Sequence, residues 1–528
     1  MSSSLMKRPL VSTIKQVLTN FSICLPETLN LDNQHGHLTN DSRKVKVGDI
    51  FCAVIGHELD GRKYIETAIQ NGANLVLSEC ESKAEHGKIN FCDIAENKIA
   101  VISFYALNIE LFKVASLYYQ SPEKNMTMIG VTGTNGKTST SQLIGQLLSS
   151  GKNKCAIIGT NGAGTLDNLQ ELNNTTPSAT DLVQLFSLFN QNQQLKNEKI
   201  THVVMEVSSH ALEQKRVIAS VFDVAVFTNL SRDHLDYHGT MDDYAAAKRQ
   251  LFTNDSKQRA IINADDTQAQ RWLEQWQNRE NLWIYGRSEL ARQHDKFVSC
   301  EEIAHHNSGI SFFLQTHLGN IAVQSPLMGD FNVDNLLAAI AVLLIEGMSL
   351  KDIVEKIKHI KATPGRMEAF TYENFPTAVV DYAHTPDALE KALIACRQHC
   401  KGNLLVVFGC GGDRDKGKRP LMAKTAQQYA DAIVITTDNP RTEEPLDIIE
   451  EIVSGINDGT QTQVIVDRKQ AVLETLSKAH ANDVVLLAGK GHEDYIITGK
   501  TKVVYNERAV VKSFYDSCEE HSLAGQTI

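Results

Sequence analysis

The stretch MIGVTGTNGKTSTSQLIGQLL, Met128 to Leu148, sets the fold class. An apolar β-type run over 126–131 leads into glycines at 130, 133 and 136, followed by Lys137 and Thr138. A helical pattern then places Leu143, Ile144 and Leu147 on one face. Strand, glycine loop and helix start in that order build a phosphate cradle. The loop N–H groups point inward, the helix dipole adds partial positive charge, Lys137 reaches the outer phosphates, and Thr138 can hold Mg²⁺. The common spacing G-x-x-x-x-G-K-[ST] would need glycine at 131, where this chain has Val131; its spacing is G-x-x-G-x-x-G-K-T. Gly133, Thr134, Asn135, Gly136, Lys137, Thr138 and Ser139 therefore form the expected ATP loop.

Working outward, apolar runs recur at 155–158, 202–207, 222–227, 260–263 and 282–285, mostly separated by helical segments, as in a parallel sheet with crossover helices. Residues 297–323 alternate more and suggest a small antiparallel appendage, and a long apolar helix begins near Asn332. Thr363-Pro364-Gly365-Arg366 reads as a hinge. Beyond it a second series runs through 378–381, 404–408, 432–436, 462–466 and 484–487, a doubly wound pattern. Before the cradle lies a smaller mixed unit, with strands at 49–54 and 75–77 and a helix at 61–71. The expected architecture is α/β in three domains: 1–124, a central P-loop-type parallel sheet at 125–361, and a Rossmann-like domain at 362–528.

Bulk properties agree. A chain of 528 residues matches roughly three domains at about 150 residues each. The 42% apolar and 22% charged content is that of an ordinary globular protein. A net charge of -11 argues against a nucleic-acid or anionic-membrane partner without opposing local phosphate binding. Ten cysteines without a C-x-x-C pair fit a reducing cytosol, and Cys396, His399 and Cys400 read as ordinary helix residues rather than metal ligands. The segment MSSSLMKRPLVSTIKQVL lacks a signal peptide's apolar core, and the longest apolar run, 336–345, is half a membrane span. The expectation is a cytoplasmic monomer with no membrane insertion.

Chemistry-bearing residues cluster where strands end. Glu206, inside VVMEV, would be costly to bury unless it met a cation. Asp233, His234, Asp236 and His238 crowd one turn, with Lys248 on the helix after it, and suggest metal or phosphate chemistry. In the last domain DYAHTPDAL, GCGGDRDKGKRP, TTDNPRTEEP and AGKGHED each follow a strand, so four polar loops are expected to converge on one cleft.

In order, TGTNGKT, MEVSSH, NLSRDHLDYHG, TPGRME, DYAHTPDAL, GCGGDRDKGKRP, DNPRTEEP and GKGHE closely resemble the Mur ligases, from about Asp41 to Glu507. The resemblance implies ATP-dependent amide formation in peptidoglycan precursor synthesis. ATP would phosphorylate the terminal carboxylate of UDP-N-acetylmuramoyl-L-alanyl-D-glutamate (UDP-MurNAc-L-Ala-D-Glu), and an incoming amine would attack the acyl phosphate. It implies a first Mg²⁺ on Thr138 and Glu206, a second that His234 helps to hold, and Lys248 carbamylated to N6-carboxylysine as an anion able to bind Mg²⁺. Lys137, His234 and Lys248 would be the catalytic residues. The UDP-sugar peptide would meet Asn40, Ser42, His57, Glu58, Leu59, Asn174, Thr175, Thr176, Ser208, Gln214 and Arg216. Asn40 and the pair Glu58-Leu59 depart from the enterobacterial-type pattern. The adenosine would lie near Asn332, Asn335, Arg366, Asp381 and His384, between the second and third domains.

Asp438, Asn439, Pro440 and Arg441 resemble the motif of the enzymes that add meso-2,6-diaminopimelate. That amino acid carries an amine and a carboxylate at its far end, whereas lysine has only the amine. Arg414 and Arg441 can take the carboxylate, and Glu493 with the Gly489 backbone the ammonium. Ligation of L-lysine is the alternative. A folylpolyglutamate synthase would lack the first domain and the DNPR motif, and a P-loop NTPase coupled to motion or signalling leaves the third domain's loops unexplained.

Overall fold

The computed structural model describes residues 11–26, 29, 36–57, 59–94, 97–149, 153–172, 174–195, 199–253, 257–276, 280–306, 308–457 and 461–525. The chain divides into two units, Met1–Lys296 with Ala341–Leu343, and Phe297–Ile340 with Leu344–Ile528.

The first unit holds two sheets over one continuous apolar core. In the smaller, strands Leu38–Thr39, Ile50–Ala53, Leu75–Cys80 and Asn97–Tyr105 run parallel in that order, and Ile89–Ile94 closes the edge antiparallel. In the larger, the order is Leu282–Tyr285, Arg259–Asn263, Val224–Phe227, Thr127–Thr132, Lys199–Glu206, Asn153–Gly159, all parallel. An antiparallel pair, Gly162–Thr165 and Asn168–Gln170, follows. Chain order reverses beside Thr127–Thr132, and sheets of this kind bind ligands at such a switch point, outside the carboxyl ends of the strands.

One glycine of the opening stretch has a different task from the one its spacing suggested. Gly130 lies inside the strand Thr127–Thr132, and a Cβ there would stand 2.9 Å from the Phe222 ring. It lets the central strand pack on an aromatic side chain. The cradle proper begins at Gly133, so Gly130 is no part of the loop and Val131 still stands where the common motif has glycine.

The second unit opens with an antiparallel meander, Phe297–His306, Gly309–Thr316 and Gly319–Ser325, matching the expected appendage. Helix Asp330–Ile345 follows, buried around its whole circumference at residues 336–343. The main sheet has the order Glu368–Phe370, Thr377–Asp381, Val484–Ala488, Leu404–Phe408, Ala432–Ile435, Gln461–Val464, antiparallel only at the first pair. A hairpin, Tyr495–Thr498 with Thr501–Val504, projects beyond its carboxyl edge.

Two buried polar links hold this unit together. His399 is no metal ligand: it takes the Gly329 N–H at Nε2 (3.0 Å), and its Nδ1 faces the His306 carbonyl (2.7 Å). Burial holds its pKa below the ordinary histidine value. Arg468 and Glu507, both without exposed side-chain area, pair at 2.6 Å, and Arg468 also donates to the Ala488 carbonyl. Removing one partner of such a pair strands a buried charge, so Glu507→Ala is expected to lower unfolding free energy by about 3–5 kcal/mol in urea titrations. An unchanged midpoint would contradict the assignment.

Candidate active site

The cradle is assembled by three strand ends. Gly133 and Gly136 adopt φ of +151° and +83°, and helix Lys137–Leu148, which contains Ser139, starts directly after them. Lys137 Nζ folds back onto the Gly133 and Thr134 carbonyls, 2.8 Å from each. Two loop amides are not presented inward as expected. The Thr134 N–H goes to the Asn229 carbonyl and the Asn135 N–H to its side chain, so Asn229 braces the loop from the end of the neighbouring strand. Asn229 belongs to the quoted NLSRDH run, and only its place directly after a strand could have marked it.

Glu206 ends the strand on the other side and is 1% exposed. Its carboxylate accepts from Thr138 Oγ1 (2.8 Å), the Thr160 N–H (2.9 Å) and Thr160 Oγ1 (3.1 Å). Gly159 is required there, because a Cβ would fall 2.1 Å from Glu206 Oε1. A carboxylate beside two hydroxyls is a hard oxygen set that suits Mg²⁺ shared with substrate phosphates.

Lys248, 1% exposed on helix Met241–Arg249, donates to the same Gly133 carbonyl at 2.8 Å and stands 4.4 Å over the Tyr244 ring. Burial first, and then the Lys137 charge, hold its pKa well below the ordinary lysine value, against the pull of Asp233. It is therefore no surface lysine. His234, with φ +52°, sits 3.4 Å from the Asp233 carboxylate and packs edge-on against His210, 4.9 Å between rings. His238 and Tyr237 complete the cluster around His210. His210 was not expected at the site; burial and the neighbouring His234 and His238 push its pKa down to about 4, so it is neutral at neutral pH.

The residues expected to hold the sugar peptide fall into two groups. Asn40, Ser42, Leu59 and Asn174 line one cavity of about 970 Å³. The second group lies by the histidines: His57 packs 5.0 Å from Tyr237, whose hydroxyl takes a hydrogen bond from Gln214, and Arg216 reaches Gln214 and the Thr176 carbonyl. Thr175 meets Thr160, Thr176 donates to the Glu206 carbonyl, and Ser208 caps the helix Ser209–Glu213. Glu58 lies outside the described residues.

In the second unit the four strand-end loops do meet. Lys418 donates to the His384 carbonyl, the Gly412 N–H to the Asn439 carbonyl, and Arg441 Nη1 to the Gly412 carbonyl (2.7 Å). Asn439 Nδ2 donates to Glu493 (3.0 Å), and the Pro440 carbonyl accepts from Glu443. A Cβ on Gly489, where φ is +111°, would meet Asp438 at 2.5 Å. Arg414 is exposed and, among the described residues, donates to the Asp413 carbonyl alone. Asp381 takes the Met367 and Ala383 amides, and burial raises its pKa. Arg366 and His384 gather on Tyr382, whereas Asn332 and Asn335 bond to each other within their helix.

A phosphate cradle backed by a buried carboxylate, on a chain whose second sheet also gathers four polar strand-end loops, is the equipment of an ATP-dependent amide ligase. Residues 36–117, 131–343 and 365–491 match, in that order, the Mur ligase family catalytic domain, the Mur ligase middle domain and the Mur ligase glutamate ligase domain. A UDP-N-acetylmuramoyl-L-alanyl-D-glutamate–2,6-diaminopimelate ligase of Haemophilus influenzae (strain 86-028NP) is 43% identical over 490 residues, 93% of this chain and 98% of that protein. A solved structure of a ligase of that name aligns with TM-score 0.69 and 33% identity, over 97% of this chain and 100% of the other. A MurF ligase from Thermotoga maritima in complex with ADP shares the fold, with TM-score 0.56 and 17% identity over 86% and 94%. The chain belongs to the Mur ligase family.

Gly133 gives the sharpest test of the cradle. A Cβ there would lie 1.9 Å from Thr228 Oγ1. Strain of about 1–3 kcal/mol should weaken ATP about tenfold to a hundredfold in Gly133→Ala, read by titration calorimetry. Unchanged ATP affinity would contradict the loop's role.

Proposed function

We propose that this protein adds meso-2,6-diaminopimelate to UDP-MurNAc-L-Ala-D-Glu, with ATP cleaved to ADP and phosphate, as a monomeric cytoplasmic enzyme of peptidoglycan precursor synthesis. The carrying observation is the 43% identity, over 93% of the chain, to a ligase named for that substrate and that amino acid. A carboxylate oxygen of the D-glutamyl group attacks the γ-phosphorus, and ADP leaves. The amine of diaminopimelate then attacks the acyl carbon, and phosphate departs from the tetrahedral intermediate.

The cradle from Gly133 to Ser139 aligns the phosphates, and Lys137, now folded on loop carbonyls, turns to the γ-phosphate when ATP enters. Asn332, Asn335, Arg366, Asp381 and His384 take the adenosine. Thr138 and Glu206 would hold a first Mg²⁺ and His234 would help hold a second, ions that would offset charge on the phosphate oxygens. A lowered Lys248 pKa raises the share of neutral amine, which can add CO₂ and lose a proton to give a carbamate that would serve as a further oxygen ligand. The large cavity and the His57–Arg216 group take the UDP-sugar peptide.

Arg441 and Arg414 bind the far carboxylate of the amino acid. L-Lysine would leave that charge unpaired, at about 1–3 kcal/mol or more, which is about tenfold or greater discrimination. Phosphate release with UDP-MurNAc-dipeptide, ATP, Mg²⁺ and a panel of amino acids is expected to be at least about tenfold more efficient with meso-diaminopimelate than with L-lysine. Faster turnover of L-lysine would overturn the proposal. In the same assay, stripping bicarbonate should slow the enzyme and its return restore the rate; indifference to bicarbonate would remove the carbamate.

A further inference from the structure

Lys490 lies between two residues assigned to the amino-acid site, Gly489 and Glu493, yet no role has been given to it. Its side chain has no exposed area. Nζ donates to Asn439 Oδ1 (2.8 Å), Glu493 Oε2 (3.0 Å) and the Tyr495 carbonyl (3.0 Å), and stands 3.3 Å from Asp438 Oδ1. One ammonium thus ties the DNPR loop, the GKGHE loop and the projecting hairpin together. Its bonds also orient what surrounds it. Asn439 Oδ1 accepts from Lys490 and from the Ile497 N–H, which turns Nδ2 toward Glu493 Oε2. Glu493 Oε2 is therefore occupied twice, while Oε1 accepts no hydrogen bond from any described residue.

Charge is the second constraint, because three carboxylates share two cations. Asp438, Glu493 and Glu507 face two cations, Lys490 and Arg468, in one connected network. Removing a buried cation shared by two carboxylates leaves negative charge stranded in the interior. Without Lys490, Glu493 would lose its ion-pair partner and Asp438 would keep Arg468 alone among the described residues, 3.8 Å away, beside the loop that carries Arg441.

We propose that Lys490 is a positioning and specificity residue: it points Glu493 Oε1 at the distal ammonium of the incoming amino acid, and it keeps the pocket from repelling the distal carboxylate. The inference rests on the amino-acid site proposed above. It predicts an asymmetry. Loss of the Lys490 charge penalises a substrate with a distal carboxylate more than one with a distal ammonium alone.

The test compares unaltered enzyme, Lys490→Met and Lys490→Arg by steady-state phosphate release with meso-diaminopimelate and with L-lysine. Lys490→Met is expected to raise KM for meso-diaminopimelate about a hundredfold, with KM for ATP and the UDP-dipeptide nearly unchanged. Its preference for meso-diaminopimelate over L-lysine in kcat/KM should fall by about tenfold or more. Lys490→Arg, which keeps the charge, should retain the preference even if Lys490→Met does not fold. Equal losses for both amino acids in Lys490→Met, or a lost preference in Lys490→Arg, would overturn this inference alone. Inactivity of the unaltered enzyme with both amino acids would overturn the proposed reaction and the inference with it.

Discussion

A single buried carboxylate organises the phosphate end of this protein. Glu206 sits at the end of a central strand with almost no exposure, and such a charge persists only when its oxygens are satisfied. Thr138 and Thr160 satisfy them, and Gly159 leaves the room. Through Thr138 the strand end is tied to the first turn of the cradle helix. Across the loop, Lys137 and Lys248 converge on the Gly133 carbonyl before any nucleotide arrives. Charges and dipoles aimed at the phosphates favour phosphoryl transfer because they stabilise charge as it shifts.

The parallel strands were legible in the sequence for a simple reason. Buried on both faces, they read as unbroken apolar runs, and the runs at 282–285 and 404–408 coincide with Leu282–Tyr285 and Leu404–Phe408. The short pairs Gly162–Thr165 with Asn168–Gln170 and Tyr495–Thr498 with Thr501–Val504 carried no such signal, because they are brief and partly exposed. The helix expected over 61–71 begins instead as a 3₁₀ turn, Gly61–Tyr64, before Ile65–Gln70 becomes α-helical.

At the site, residue type was readable and partnership was not. Glu206 inside an apolar run announced a costly burial, and the hydroxyls that satisfy it lie 46 and 68 residues away in the chain. Gly130 and Gly133 look alike in the sequence, yet one faces an aromatic ring and the other a threonine hydroxyl. Lys248 follows three alanines and could have lain on either face of its helix; only packing shows it buried. Lys490, between two glycines, resembled a solvated turn until its four partners were seen together.

Glu206, the paired lysines and the loops of the second sheet suit a reaction in which ATP activates a carboxylate as an acyl phosphate for an amine to take. The most direct measurement uses UDP-MurNAc-L-Ala-D-Glu labelled with heavy oxygen at its terminal carboxylate. Turnover with meso-diaminopimelate should move one labelled oxygen into inorganic phosphate and leave the other in the new amide. Phosphate free of label would contradict the account.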